Sequence, residues 1–286
     1  MTIEKKLLGT NPVSGEVLPE AVSFDGATDK LRKASDLTGN ADGKKLTFST
    51  WFYSDENITN TPEIVRIGNF VVNLPTQGNG LHLHAYSSGG YGAGPAFYVN
   101  WVEYSIPQNQ WNHLLVSIDV TGANTAKRHV YLNDVNINTS AKGLDTWDSW
   151  NDRLIEFTKS TFHFIGGVPS NTQNIKGRLA HVFLDYTYRD LSTTSNRRLF
   201  ITADGKPSDT IPSSPIIYLP MTDAATAGSN SGTGGDFTVN GVLATAERGP
   251  NQDNCVASTF NGSNDYLSKA GIGAISSKTI TFNVNW

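Results

Sequence analysis

The order of apolar and polar positions is that of short strands, and it is plainest between Trp111 and Asn138. There Leu114, Val116 and Ile118 alternate with polar neighbours, then Val130 and Leu132, then Val135 and Ile137. Alternation with period two sets one side of a strand on a core and leaves the other toward water. Asn133-Asp134 separates the second pattern from the third, and both residue types tolerate the left-handed backbone of a hairpin turn. No glycine follows, which predicts a looser turn than the Asn-Gly form.

The same reading extends along the chain. Residues 21–24 and Lys30-Leu31 predict short strands around the polar turn Asp25-Gly26-Ala27-Thr28-Asp29. Residues 46–53 carry aromatics on both faces, as a central strand covered on each side does. Residues 64–74 and 81–86 predict one strand each, and 96–104 another. Between the last two, residues 87–95 hold too much glycine for regular structure. Residues 143–153 read as a polar loop carrying Trp147 and Trp150. Strands are expected over 162–167 and 176–183, then a short helix over 193–200 capped by Ser192. Residues 216–219 predict a strand that closes the sandwich, and 236–243 predict one more.

Two further features change the picture. The polar arm 1–17 and the segment 250–286 flank a single domain of about 18–249. Within that last segment the opening strands recur: Ala21, Phe24, Gly26, Asp29, Leu31, Lys33 and Ala34 return as Ala257, Phe260, Gly262, Asp265, Leu267, Lys269 and Ala270. An opening without the remaining strands cannot bury both faces of a sandwich. Either this is a truncated second domain or its apolar face is sheltered by something else, and the second reading makes Phe260, Tyr266, Leu267, Ile280 and Phe282 assembly residues.

Charged residues make up only 17% of the 286, with a net charge of −4. Basic residues occur as isolated pairs such as Lys44-Lys45 and Arg197-Arg198, which argues against nucleic acid as a partner. One cysteine, Cys255, leaves no intrachain disulfide and no cysteine-rich zinc site. No signal peptide and no membrane-spanning run is read in the sequence, so synthesis in a cytoplasm without membrane insertion is expected.

Several stretches together resemble one family. The Trp111-x-His113 strand and the hairpin at 130–134, the Phe-Asp-Gly-x-x-Asp-x-Leu run at 24–31, the strand at 46–52, Ile165-Gly166-Gly167 and Leu191-Ser192 are similar to laminin-G-like, concanavalin-A-like jelly-roll proteins. The resemblance implies an all-β fold, a two-sheet antiparallel jelly-roll sandwich with N- and C-terminal extensions. Residues 191–207, 213–221 and 232–246 look like the members encoded by bacteriophages and prophages. That likeness implies a virion structural protein (tail fibre, tail tip or capsid-surface decoration), located in the virion and partnered by other virion proteins and by copies of itself. It also leaves room for a cell-surface glycan as ligand. A free carbohydrate-binding lectin is the alternative, and a polysaccharide-active enzyme the third.

Candidate chemistry narrows these. Glucanases of this fold carry a Glu-x-Asp-x-x-Glu strand whose carboxylates share one face, and no Glu here is followed by Asp two residues on. Asp145, Asp148 and Asp152 could form a different acid/base pair, but carboxylates in a surface loop are much more often simply solvated. The chain is therefore expected not to be an enzyme. His82-x-His84 puts two imidazoles on one strand face without an identifiable third ligand, and His113 and His163 read as core positions. No cofactor is expected. The family's calcium leaves Asp25, Asp29 and Asp185 as hard-oxygen candidates, although turn roles explain the first two as well. Sugars are held by flat aromatic faces with polar groups beside them. The candidates are Trp147, Trp150 and Asp148, followed by Tyr91 in the glycine-rich loop and Tyr104; the same rings also suit capping the sandwich ends or a subunit interface.

Overall fold

A computed structural model describes residues 21–54, 61–74, 80–101, 106–122, 127–138, 146–246 and 248–251. Tyr104, Asp145, and the predicted assembly residues Phe260, Tyr266, Leu267, Ile280 and Phe282 lie outside these.

The strands follow in chain order: β1 (Val22–Asp25), β2 (Lys30–Arg32), β3 (Lys45–Ser54), β4 (Glu63–Ile67), β5 (Phe70–Asn73), β6 (Leu81–Tyr86), β7 (Pro95–Trp101) and β8 (Trp111–Asp119). Next come β9 (Arg128–Leu132), β10 (Val135–Asn136), β11 (Thr146–Trp150), β12 (His163–Ile165) and β13 (Lys176–Asp185). A one-turn helix α1 (Thr194–Arg197) precedes β14 (Ile217–Leu219), β15 (Thr238–Asn240) and β16 (Ala244–Thr245). The first sheet runs β10-β9-β8-β3-β13-β1-β16, with β14 also pairing β13. The second runs β11-β7-β6-β5-β4-β12-β2-β15. Every pair is antiparallel. The fold is the all-β two-sheet antiparallel sandwich that the family resemblance implies.

Phe48, Phe52, Phe70, Phe97, Phe157 and Leu114 meet between the sheets in one core. The first sheet is covered on its other side too. Leu191 and Phe200, from the segment around α1, pack on Leu115, Tyr131 and Phe183, while Ile201 joins Trp51 and Trp111. This explains why β8 is buried at every position and why β3 has apolar residues on both faces. The second sheet differs. Along β6, Leu81, Leu83 and Ala85 are buried and His82, His84 and Tyr86 are only partly so, which leaves the outer side of this strand partly exposed, while outward residues of β5 and β12 such as Val71 and Phe164 are buried.

Several local expectations are corrected. The Asn133-Asp134 turn is a tight two-residue hairpin, with Leu132 paired to Val135 and positive φ at both central residues (51° and 62°). Side chains hold what glycine usually permits: Asn133 Oδ1 accepts the His113 amide at 2.8 Å, and Asp134 receives Arg197 Nε at 2.6 Å and Arg198 Nη2 at 2.8 Å. Residues 64–74 form two strands. Gly68, at φ 57°, makes the turn between them, and a Cβ there would lie 2.2 Å from the Glu156 carbonyl oxygen. The helix begins after Thr193, shorter than expected, and Ser192 does not cap it. The Ser192 hydroxyl donates instead to Asp190. Residues 146–150, expected in a polar loop, extend the second sheet as β11, and the glycine-rich loop contains a 3-10 turn at Gly90–Ala93.

Candidate functional site

Register across the second sheet builds a row along its outer face, in which Phe164 and Val71 are buried and the others partly or fully exposed. Arg32, Phe164, Arg66, Val71, His84 and Tyr98 stand side by side on successive strands. One row along, Asn73, His82 and Asn100 do the same. Directly paired residues on neighbouring strands share a face, so the β6–β7 half of the sheet presents imidazole, phenol and carboxamide groups together.

The rings are in contact. His84 stacks on Tyr98 at 5.9 Å between centroids and 22° between planes, and His82 lies 5.8 Å from the same tyrosine. Tyr86 is 5.3 Å from His84 and 5.6 Å from Tyr91. Tyr91, 85% exposed, rides on the 3-10 turn of the glycine-rich loop. That loop is tied down where Arg153 donates to the Ala93 carbonyl and Asn151 Nδ2 donates to the Pro95 carbonyl at 2.8 Å.

Of the cations near this face, Arg66 is neutralised by a carboxylate, while Lys159 and Arg32 rest over aromatic rings. Arg66 Nε donates to Glu63 at 2.6 Å, and the guanidinium sits 5.3 Å over the Phe162 ring. Lys159 shares that ring at 5.0 Å, and Arg32 lies 5.8 Å over Phe164. Burial, with Arg66 and His82 nearby, pushes His84 down to about 3, so its imidazole is neutral at physiological pH. Burial also raises the Tyr86 hydroxyl, with Tyr98 and Tyr91 adding to the shift. Asn73 Oδ1, Asn100 Oδ1 and His84 Nδ1 are buried and have no hydrogen-bond partner among the described residues. Leaving a buried polar atom unsatisfied costs about 1–3 kcal/mol, so each is an unmet demand.

The other predicted positions fall as follows. β11 lies at the edge of this same sheet, with Trp147 opposite Val99, Trp150 opposite Phe97, and a register shift at Asp148. Asp152 pairs with Lys44 at 2.5 Å. The calcium candidates do not fit a metal. Asp25 Oδ1 accepts the amides of Ala27, Thr28 and Asp29, and Asp29 accepts those of Asp25 and Val242. Asp185 receives Arg189 and the Thr187 hydroxyl. No group of three or more His, Cys, Asp or Glu residues suited to a metal occurs among the described residues. His113 and His163 are fully buried, as expected, with Ser49 Oγ 2.8 Å from His113 Nε2 and Asp36 3.0 Å from His163 Nε2. Sequence reading reached His82 and His84 but not Tyr98, Asn73 or Asn100. Only the pairing of β5, β6 and β7 brings these together.

A family model described as the concanavalin A-like lectin/glucanases superfamily, of laminin G type, matches residues 25–189. The chain belongs to this superfamily. The match runs from the end of β1 past β13 and so covers most of both sheets. No curated protein matches the sequence. Among solved structures, a Bacteroides ovatus protein described as carbohydrate binding is similar with a TM-score of 0.51 at 14% identity, over 80% of this chain and 60% of that one. This superfamily member thus spans about three fifths of that protein's length. A heptameric SAP-like pentraxin from Limulus polyphemus gives a TM-score of 0.46 at 13% identity, over 79% and 95% of the two chains. Domains LG4-5 of the mouse laminin α1 chain give 0.38 at 12%, over 61% and 44%. At these identities the likeness is one of fold.

Proposed function

We propose that this chain is a non-catalytic glycan-recognition module of a virion-exterior protein, such as a tail fibre, tail tip or capsid-surface decoration. The observation that carries the recognition part is the β6–β7 end of the second sheet's outer face. There the partly exposed rings of His84 and Tyr98 share a face with Asn73 and Asn100, whose carboxamide oxygens are buried and lack a donor among the described residues. Sugars offer this combination in reverse, with apolar C–H faces for the rings and hydroxyl donors for the acceptors. The virion setting rests on the sequence likeness at 191–246 and on the repeated opening strands at 257–270, which suit assembly with further copies or other virion proteins.

The test is a glycan array probed with the whole chain and with Tyr98→Ala and His84→Ala. Retention of a glycan by the wild type, weakened about tenfold or more in both variants, supports the reading. Retention unchanged in both variants contradicts the site. Turnover of the retained glycan would contradict the absence of catalysis, and a monomer that neither self-associates nor joins particles would contradict the virion setting.

A further inference from the structure

Residues 190–212, which cover the outside of the first sheet, are attached to it differently from the way its strands are attached to one another. β3 and β8 are paired in register from Lys45 opposite Asp119 to Tyr53 opposite Trp111. In the covering segment the amides of Thr193, Asn196, Arg198, Phe200, Ile201 and Thr202 all donate to carbonyls of the segment itself. Side chains make the attachment. Leu191 and Phe200 are buried against Leu115, Tyr131 and Phe183, with the Phe200 ring edge-on to Phe183 at 5.0 Å. Ile201 joins Trp51 and Trp111. None of these three segment residues belongs to the core between the sheets.

The polar part of the attachment converges on one carboxylate. Arg197 Nε donates to Asp134 Oδ1 at 2.6 Å, and Arg198 Nη2 donates to Asp134 Oδ2 at 2.8 Å. Asp134 stands at the turn between β9 and β10, so these bonds tie the middle of the segment to the margin of the sheet. At the start of the segment, Asp190 lies 3.3 Å from His129 Nε2. Both guanidinium groups and the Asp134 carboxylate are partly exposed, so dissolved salt weakens their attraction. A one-turn helix such as α1 has too few internal bonds to persist once its packing is lost.

We infer that residues 190–212 are a strap that lifts from the first sheet as one unit while the sandwich stays folded, with Asp134 as its latch. Lifting breaks no bond of the β3–β8 ladder and leaves the core between the sheets intact. It uncovers the rings of Trp51, Trp111, Tyr131 and Phe183. Segments whose backbone bonds are local open at lower free energy than the strands they lie on.

Amide hydrogen exchange of the whole chain, at low and at high salt, tests this. The wild type is compared with Asp134→Asn and with the double variant Arg197→Gln/Arg198→Gln, which leaves the hairpin turn untouched. The bonded amides between Thr193 and Thr202 are expected to exchange together, about a hundredfold or more faster than those of β3 and β8. Each variant should accelerate them about tenfold further at low salt, with β3 and β8 unchanged. High salt should accelerate the wild type and add nothing to the double variant. Exchange of the segment at the rate of β3 and β8 would overturn the inference, since the segment would then open only with the sandwich. Acceleration of β3 and β8 alongside the segment, or no acceleration in the double variant, would overturn it as well.

Discussion

Gly68 and His163 show how single residues hold the second sheet. The Gly68 amide donates to His163 Nδ1 at 3.1 Å, so the ring's proton resides on Nε2 and is directed at Asp36. A side chain at Gly68 would meet the Glu156 and Phe157 carbonyl oxygens at a positive φ. Gly68→Ala is therefore expected to cost about 2 kcal/mol or more, read as a lowered urea midpoint with an unchanged m-value. A midpoint within error of the wild type would contradict this turn geometry. The burial of His113 and His163 was legible from the resemblance of their strands to the family's core, whereas alternation alone puts His113 out of phase with Leu114, Val116 and Ile118. Their partners Ser49 and Asp36 were not, since each lies far away in sequence and is delivered by strand register and by the loop after β2.

At the scale of elements, the β9–β10 hairpin is clamped from outside. Arg197 and Arg198 both reach Asp134, and Arg197 also covers the Tyr131 ring at 4.9 Å. These charge-assisted bonds hold Asp134 below the usual carboxylate range despite its burial. Asp134→Asn keeps a residue tolerant of the left-handed turn and removes the charge. It should cost about 1–2 kcal/mol at low salt and less at high salt, measured by denaturant unfolding at two ionic strengths. A loss that does not shrink with salt would assign the effect to the turn instead.

Alternation is plain at 114–118 and made that strand legible, while 176–183, where apolar residues come in adjacent pairs, was legible through the family resemblance. The sequence hid two elements for physical reasons. Residues 64–74 are apolar almost throughout, so only Gly68 marks the turn. Residues 146–150 mix polar and aromatic groups around a register shift, which breaks the period of two.

For the whole molecule, one fully buried and two half-buried neutral histidines set an acid limit. Burial lowers His84 and His113 to about 3 and His181 to about 4. Their unfolded value is near 6.5, so the unfolded chain takes up protons first. Stability is therefore full above about 6.5 and falls as the pH drops toward these folded values, by about 1.4 kcal/mol per pH unit for each histidine. The urea midpoint should drop markedly between pH 7 and pH 5, and His113→Gln should flatten that dependence. An unchanged midpoint would contradict the burial of these rings.

The first sheet is covered on both sides, whereas the outer side chains of β6 and β7 in the second are partly exposed, and these two strands are the proposed binding surface. Amide hydrogen exchange with and without an excess of a glycan retained on the array measures this most directly. Added protection is expected in β6, β7 and the loop at 87–94, with the first sheet unchanged. Protection confined to the first sheet or to the loops beside α1 would contradict the open face as the binding surface.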